Sequence, residues 1–120
     1  MATHEPAMAV RRREGAAVID LAGDINSGAE HALEAAWNQA SEEPGPVVLN
    51  FAGANYINST GIALIVGLLA RARAGGISIR ACGLSDHYRE IFEITRLADF
   101  MPIATDEDSA VEGAERTDHA

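Results

Sequence analysis

Ser59 and Thr60 are the hydroxyls best placed to do chemistry in this sequence. They sit in Asn58-Ser59-Thr60-Gly61, after a nearly all-apolar run, Val47–Ala52, and a short linker, Gly53–Ile57. An apolar segment expected to be helical to about Ala74 follows them. The first N–H groups of a helix have no partner within it and stand at the positive end of its dipole, so an anion is favoured there. A phosphoryl group on Ser59, with Thr60 as second candidate, would be tolerated at that position. Partners also tend to meet open α/β sheets at the carboxyl ends of the strands. The plainer alternative is that Asn58 or Ser59 only caps the helix, a role both residue types favour.

The helix behind these hydroxyls is unusually apolar. Ile62, Leu64, Ile65, Val66, Leu68 and Leu69 cannot all face one way in under three turns, and a polar stripe is missing before Arg71. Either the helix is buried on both sides or it leaves an apolar strip for a partner. The residues therefore describe an interaction module with a phosphorylatable helix start.

Other chemistries find little support. The four histidines, His4, His31, His87 and His119, include no pair at metal-ligand spacing, and Cys82 is the one cysteine. No intramolecular disulfide can form, and the apolar surroundings of Cys82 predict a buried, inert thiol. The glycines build neither a Walker-A loop nor a G-x-G-x-x-G after a strand, so no cofactor and no enzymatic activity are expected. Asp20 and Asp24 flank the end of a strand and read as solvated turn residues rather than a carboxylate pair. A net charge of −9 repels phosphates and argues against nucleic acid. Arg11, Arg12 and Arg13, the only basic run, read as a solvated edge strand.

These features need a scaffold. Ala7–Val10 with the arginines and Ala16–Ala22 read as two strands joined at Glu14-Gly15, too close for anything but a hairpin. Ser27 and Glu30 have capping-box spacing ahead of an amphipathic helix that carries Ala29, Ala32, Leu33, Ala36, Trp37 and Ala40 on one face. Val47–Ala52 reads as a strand buried on both faces. Gly75-Gly76 stops the second helix, and Ile77–Cys82 alternates as a strand. Ser85 can cap a third helix with Tyr88, Ile91 and Phe92. Met101–Ala104 reads as a short edge strand, and Thr105 can cap a last helix with Ala110, Val111 and Ala114 inward. No secretory signal is visible, and the longest apolar stretch, Ile62–Ala70, falls far short of the roughly 20 residues that span a bilayer. A cytoplasmic protein without membrane insertion is expected.

Three separated segments together resemble the STAS family, which includes the bacterial anti-sigma-factor antagonists. Val18–Ile25 resembles its second strand and exit. Val47–Phe51 through Tyr56–Ile62 resembles its strand, loop and Asp-Ser-Ser/Thr-Gly signature. Gly75–Ile79 with Gly83-Leu84-Ser85 and Ile91-Phe92 resembles the next strand and third helix. The resemblance implies an α/β fold, a STAS-like mixed β-sheet with helices mainly on one side, in the order β-β-α-β-α-β-α-β-α. One domain is expected over residues 8–114, with flexible termini at 1–7 and 115–120.

In the antagonists the serine after the signature aspartate is phosphorylated, which carries that role to Ser59. The implied partners are an anti-sigma-factor serine kinase of the histidine-kinase-like ATPase type and a serine phosphatase that resets the switch. A second copy of the chain is a further candidate. The expected docking residues are Asp24, Asn58, Ser59, Thr60, Gly61, Ile62 and Ile65. One departure stands out: the family aspartate is Asn58 here, which removes a negative charge beside the acceptor serine. The resemblance also admits a STAS subunit of a stress-sensing scaffold or of a lipid-transport ATPase, with no phosphoswitch.

Overall fold

A computed structural model describes the backbone of residues 6–116 and the side chains of residues 6–113. Strands β1 (Ala7–Arg13) and β2 (Ala16–Ile25) form the expected hairpin. Glu14 and Gly15 both take positive φ, which suits a two-residue turn whose twist matches the strands. Then follow α1 (Glu30–Ala40), β3 (Val47–Ile57), α2 (Ser59–Gly75), β4 (Ile79–Cys82), α3 (Asp86–Ile94) and α4 (Glu107–Arg116). The sheet order is β1-β2-β3-β4, antiparallel in the hairpin and parallel from β2 to β4.

Period-two alternation divides the sheet into two unlike faces. Ile19, Leu21, Val47, Leu49, Phe51 and Ala81 face one way. They pack with Leu33 and Trp37 of α1, Ile65, Leu68 and Leu69 of α2, and Phe92 of α3. The rings of Phe51 and Phe92 meet edge to face at 5.8 Å. The opposite face carries Ala16, Val18, Val48 and Cys82, covered by Ala110 and Val111 of α4. Among the described residues, α1, α2 and α3 thus lie on one side and α4 on the other. The inward placement expected for Ala114 falls outside the described side chains, as do the expectations for residues 1–5 and 117–120.

Several local expectations change. The linker expected at Gly53–Ile57 is instead the second half of β3, because β2 runs alongside it to Ile25↔Ile57. The first helix is not capped by Ser27: the Asn26 side chain accepts the Gly28 N–H at 2.9 Å and opens a 3-10 turn over Ser27–Ala29. Asp106, not Thr105, caps α4 by accepting the Ser109 N–H at 2.8 Å. The short strand at Met101–Ala104 is present as one parallel bridge, Ala81↔Ile103. Pro102 has no N–H to extend the ladder, though its carbonyl accepts from Ala81 at 2.9 Å. Gly76, in the left-handed region, ends α2 with Ile77 N–H donating to the Ala72 carbonyl at 2.8 Å, so β4 begins at Ile79.

Arg11, Arg12 and Arg13 lie on the edge strand, but they are not merely solvated. Strand alternation sends Arg12 to the α1 side, where it donates to the carbonyls of Gln39 and Ala40 at 3.1 and 3.2 Å. Arg11 and Arg13 point to the other side and bind the start of α4 through Glu107 at 2.8 and 2.7 Å; Arg13 also binds Asp108.

Candidate functional site

The parallel strands β2 and β3 end side by side, with Asp24 opposite Tyr56 and Ile25 opposite Ile57. The chain then passes from β3 into α2 through one residue, Asn58. Its backbone is extended, its N–H donates to the Ile25 carbonyl at 3.3 Å, and its carbonyl accepts from Ile62 at 2.9 Å. Its side-chain oxygen accepts the Gly61 N–H at 2.8 Å. Asn58 is therefore the helix cap, which settles one of the two capping candidates and leaves Ser59 as the first helical residue.

The seven expected docking residues separate into three environments. Ser59 and Thr60 are exposed on the first turn of α2, and Asp24 and Asn58 are half-buried beside them at the same sheet edge. Ile62 is half-buried and packs against the core. Gly61 is buried, because a side chain there would run into the Ile25 carbonyl and the Ile57 side chain. Ile65 is 0% exposed, facing the sheet, and offers nothing to a partner. It is corrected from a docking residue to a core residue.

The rest of α2 answers the question its apolar sequence raises. Ile65, Leu68 and Leu69 are buried and Ile62 and Leu64 half-buried, while Val66 alone of the six is exposed. The outward face consists mainly of small residues, Ala63, Gly67 and Ala70, with Val66. Near the far end of α2 a groove of about 650 Å³ is lined by Val66, Leu69, Arg73, Ile77, Leu97 and Phe100.

Two residues were not legible as site residues. Tyr56 is 56% exposed at the end of β3, one residue before the strand closes. Tyr88 of α3 reaches the same edge, and its hydroxyl accepts the Ile57 N–H at 2.9 Å. The alternating pattern of β3 could have flagged Tyr56 only if the strand had been extended past Ala52.

Asp20 and Asp24 are not a pair. Asp20 lies within β2 and on the α4 side, where it accepts from Arg11 at 2.6 and 2.9 Å and from the Asn50 amide at 2.9 Å. The solvated-turn reading is therefore wrong for Asp20. The Arg11 guanidinium holds its carboxyl below the usual carboxylate range, with the Asn50 hydrogen bond adding to the effect against partial burial. Glu107 is lowered in the same way, first by Arg11 and then by Arg13. Burial pushes the Cys82 thiol up to about 11, and the thiol donates to the Asn50 side-chain oxygen at 3.7 Å.

His31 and His87 are exposed on separate helices, and His4 and His119 fall outside the described residues. Among the described residues no group of three or more His, Cys, Asp or Glu could hold a metal ion. Among them, too, no helix is long and apolar enough to cross a membrane.

Comparison with known proteins agrees with this architecture. BtrV of Bordetella bronchiseptica, a candidate anti-sigma factor antagonist, is 29% identical over 98 residues, spanning 81% of this chain and 84% of BtrV. An anti-sigma factor antagonist from Mycobacterium paratuberculosis superposes with a TM-score of 0.80 at 17% identity, covering 95% of this chain and 97% of that one. The Bacillus cell fate determinant SpoIIAA in its phosphorylated form gives 0.67 at 22% identity, covering 89% and 98%. At such identities the likeness to solved structures is one of fold. The family model described as the STAS domain matches residues 7–110, nearly every described element, and the chain belongs to the STAS domain family.

Proposed function

We propose that this chain is a protein-binding switch of the anti-sigma-factor-antagonist type, controlled by phosphorylation of Ser59. The observation that carries the reading is the setting of that hydroxyl. Ser59 is exposed, is the first residue of α2, and follows a cap that fixes the turn without using the serine. In the unphosphorylated state the edge formed by Asp24, Asn58, Ser59, Thr60 and Ile62 binds an anti-sigma-factor serine kinase of the histidine-kinase-like ATPase type. The kinase transfers the γ-phosphoryl group of ATP to the Ser59 oxygen, the hydroxyl proton is lost, and ADP leaves.

Phosphorylation adds about −1.5 to −2 charge at neutral pH. Free N–H groups at the helix start stabilise that charge in the free chain. At a close protein contact it must be desolvated, beside a chain whose own net charge is already −9, so the complex opens. A serine phosphatase restores the binding form. The similarity to BtrV and the fold shared with SpoIIAA, which was solved in a phosphorylated form, support this reading.

The direct test uses the cognate kinase with ATP, phosphosite mapping, and Ser59→Ala and Ser59→Asp. A phosphate on Ser59, none in Ser59→Ala, and lost kinase binding in Ser59→Asp are expected. Kinase binding by Ser59→Asp as tight as wild type would sink the switch. A second reading, a subunit of a stress-sensing scaffold or a lipid-transport ATPase, rests on the groove beside Val66 and Phe100. That groove lies near the opposite end of α2 from Ser59 and could dock permanently. Stable co-purification with a large particle or a membrane ATPase, indifferent to Ser59→Asp, would favour it.

A further inference from the structure

β3 outruns its neighbour. The last pair between β3 and β4 is Asn50↔Cys82, whereas β3 continues to Ile57. Past that pair the chain leaves the sheet at Gly83, whose φ is +78 and where a Cβ would stand 2.6 Å from the Ala52 nitrogen. Among the described residues, β3 from Phe51 onward therefore has β2 on one edge and no strand on the other. A small hollow of about 170 Å³ opens there, lined by Ala54, Ile57, Leu84, Ser85 and Tyr88 among others.

Backbone N–H groups on an open edge still need acceptors. Two on this edge are taken by side chains. The Asn50 side-chain oxygen accepts from Ala52 at 3.1 Å, and the Tyr88 hydroxyl accepts from Ile57 at 2.9 Å. Tyr88 does what the missing strand would have done. It is itself pinned, because its own N–H donates to the capping Ser85 hydroxyl at 3.3 Å and its ring meets that of His87 edge to face at 4.9 Å.

The next residue along the chain is held from the other side, with Asn58 N–H on the Ile25 carbonyl. Consecutive N–H groups at the turn from β3 into α2 are thus clamped by β2 on one side and α3 on the other. Ser59 follows directly. We propose that Tyr88 is a positioning residue for Ser59: by holding Ile57 it fixes the junction that presents the Ser59 oxygen, and it ties that junction to α3. The proposal rests on the reading of Ser59 as the phosphoacceptor.

Tyr88→Phe in the full chain tests it, since the ring and its packing stay and only the acceptor goes. Amide exchange followed by NMR should show the Ile57 N–H exchanging about five- to tenfold faster, the worth of one ordinary hydrogen bond. Val18 and Val48, inside the sheet, should change only by the shift in global stability. With the cognate kinase, kcat for Ser59 phosphorylation should fall several-fold with KM nearly unchanged, as expected when geometry rather than binding is lost. Ile91→Val, a mild core change on the same helix, should leave both readouts as in wild type. An Ile57 amide as protected in Tyr88→Phe as in wild type overturns the brace, and a released amide with unaltered kcat overturns the positioning role. Should wild type itself accept no phosphate, the Ser59 reading falls instead, and the brace stands or falls on the Ile57 amide alone.

Discussion

The carbonyl oxygen of Ile25 fills the space into which any side chain on Gly61 would project. The first turn of α2 can lie across the end of β2 only because residue 61 lacks a Cβ. The close approach puts Ser59 at the sheet edge rather than a side chain's width above it. Gly61→Ala must push the helix start off a backbone carbonyl that cannot rotate away. It should cost about 3 kcal/mol, the upper range for overpacking a core. Gly67→Ala is the control: a Cβ there meets nothing within 4 Å on an exposed face of the same helix. Helix propensity alone then predicts a gain of about 0.5–1 kcal/mol. Urea unfolding of both variants measures the contrast, and equal stability of the two would show that α2 does not sit this close to β2.

Asn58 separates capping from charge. Asn58→Ala removes the acceptor for Gly61 N–H and should cost about 1 kcal/mol in urea unfolding. Asn58→Asp keeps an acceptor and adds a charge at the positive end of the helix, so it should match wild type or exceed it by a few tenths of a kcal/mol. A loss in Asn58→Asp equal to that in Asn58→Ala would mean that the amide group, not the oxygen, is what the turn requires.

How much of this was readable beforehand depended on whether the signal was local. Gly75-Gly76 marked the end of α2 and Ser85 the start of α3, because a left-handed cap and a hydroxyl cap are chosen by neighbouring residues alone. The sequence reads Gly53–Ile57 as a linker because Gly53 and Asn55 break any strand pattern there; the partner β2 supplies the ladder. Asp20 looked like a turn residue because the partner that fixes it, Arg11, comes from another strand. Ile65 stands in the expected docking set because a helix apolar all round does not say which side meets the sheet. The Ser59 setting was legible because helix starts are; the Tyr88 contact, thirty-one positions from Ile57, was not.

The ion cluster on the α4 side makes a pH prediction. Asp20 and Glu107 both have folded pKa values lowered, chiefly by hydrogen bonds from Arg11. A lowered folded value means that the stabilisation is complete above the unfolded values, about 3.9 for Asp and 4.3 for Glu, and is lost as pH falls through the folded ones. Unfolding free energy should therefore stay level down to about pH 5 and decline below it. Glu107→Gln should flatten part of that decline. Because the Arg11 side chain is 43% exposed, the effect at neutral pH should be about 1 kcal/mol or less, and smaller still in high salt. A decline of the same size in Glu107→Gln and wild type would assign the acid sensitivity elsewhere.

Cys82 reports on how α4 is held. Its side chain is 1% exposed in the small core that Ala110 and Val111 complete, and burial raises its thiol to about 11. Among the described side chains, Ala110 and Val111 bury far less apolar surface than the larger core on the other face. The thiolate is the reactive form, so wild type should label slowly with a thiol reagent at pH 8, through brief openings of α4 rather than through the closed form. Val111→Ala removes packing from α4 alone and should speed labelling about tenfold. Leu33→Ala, on the opposite face, is the comparison. It should destabilise the whole fold by about 2–5 kcal/mol while speeding labelling less than Val111→Ala does for each kcal/mol lost. If the two variants accelerate labelling in proportion to their loss of global stability, Cys82 is reached only by complete unfolding, and α4 is an integral part of the cooperative fold. Faster labelling in Val111→Ala than its global stability allows would identify α4 as a separately opening unit.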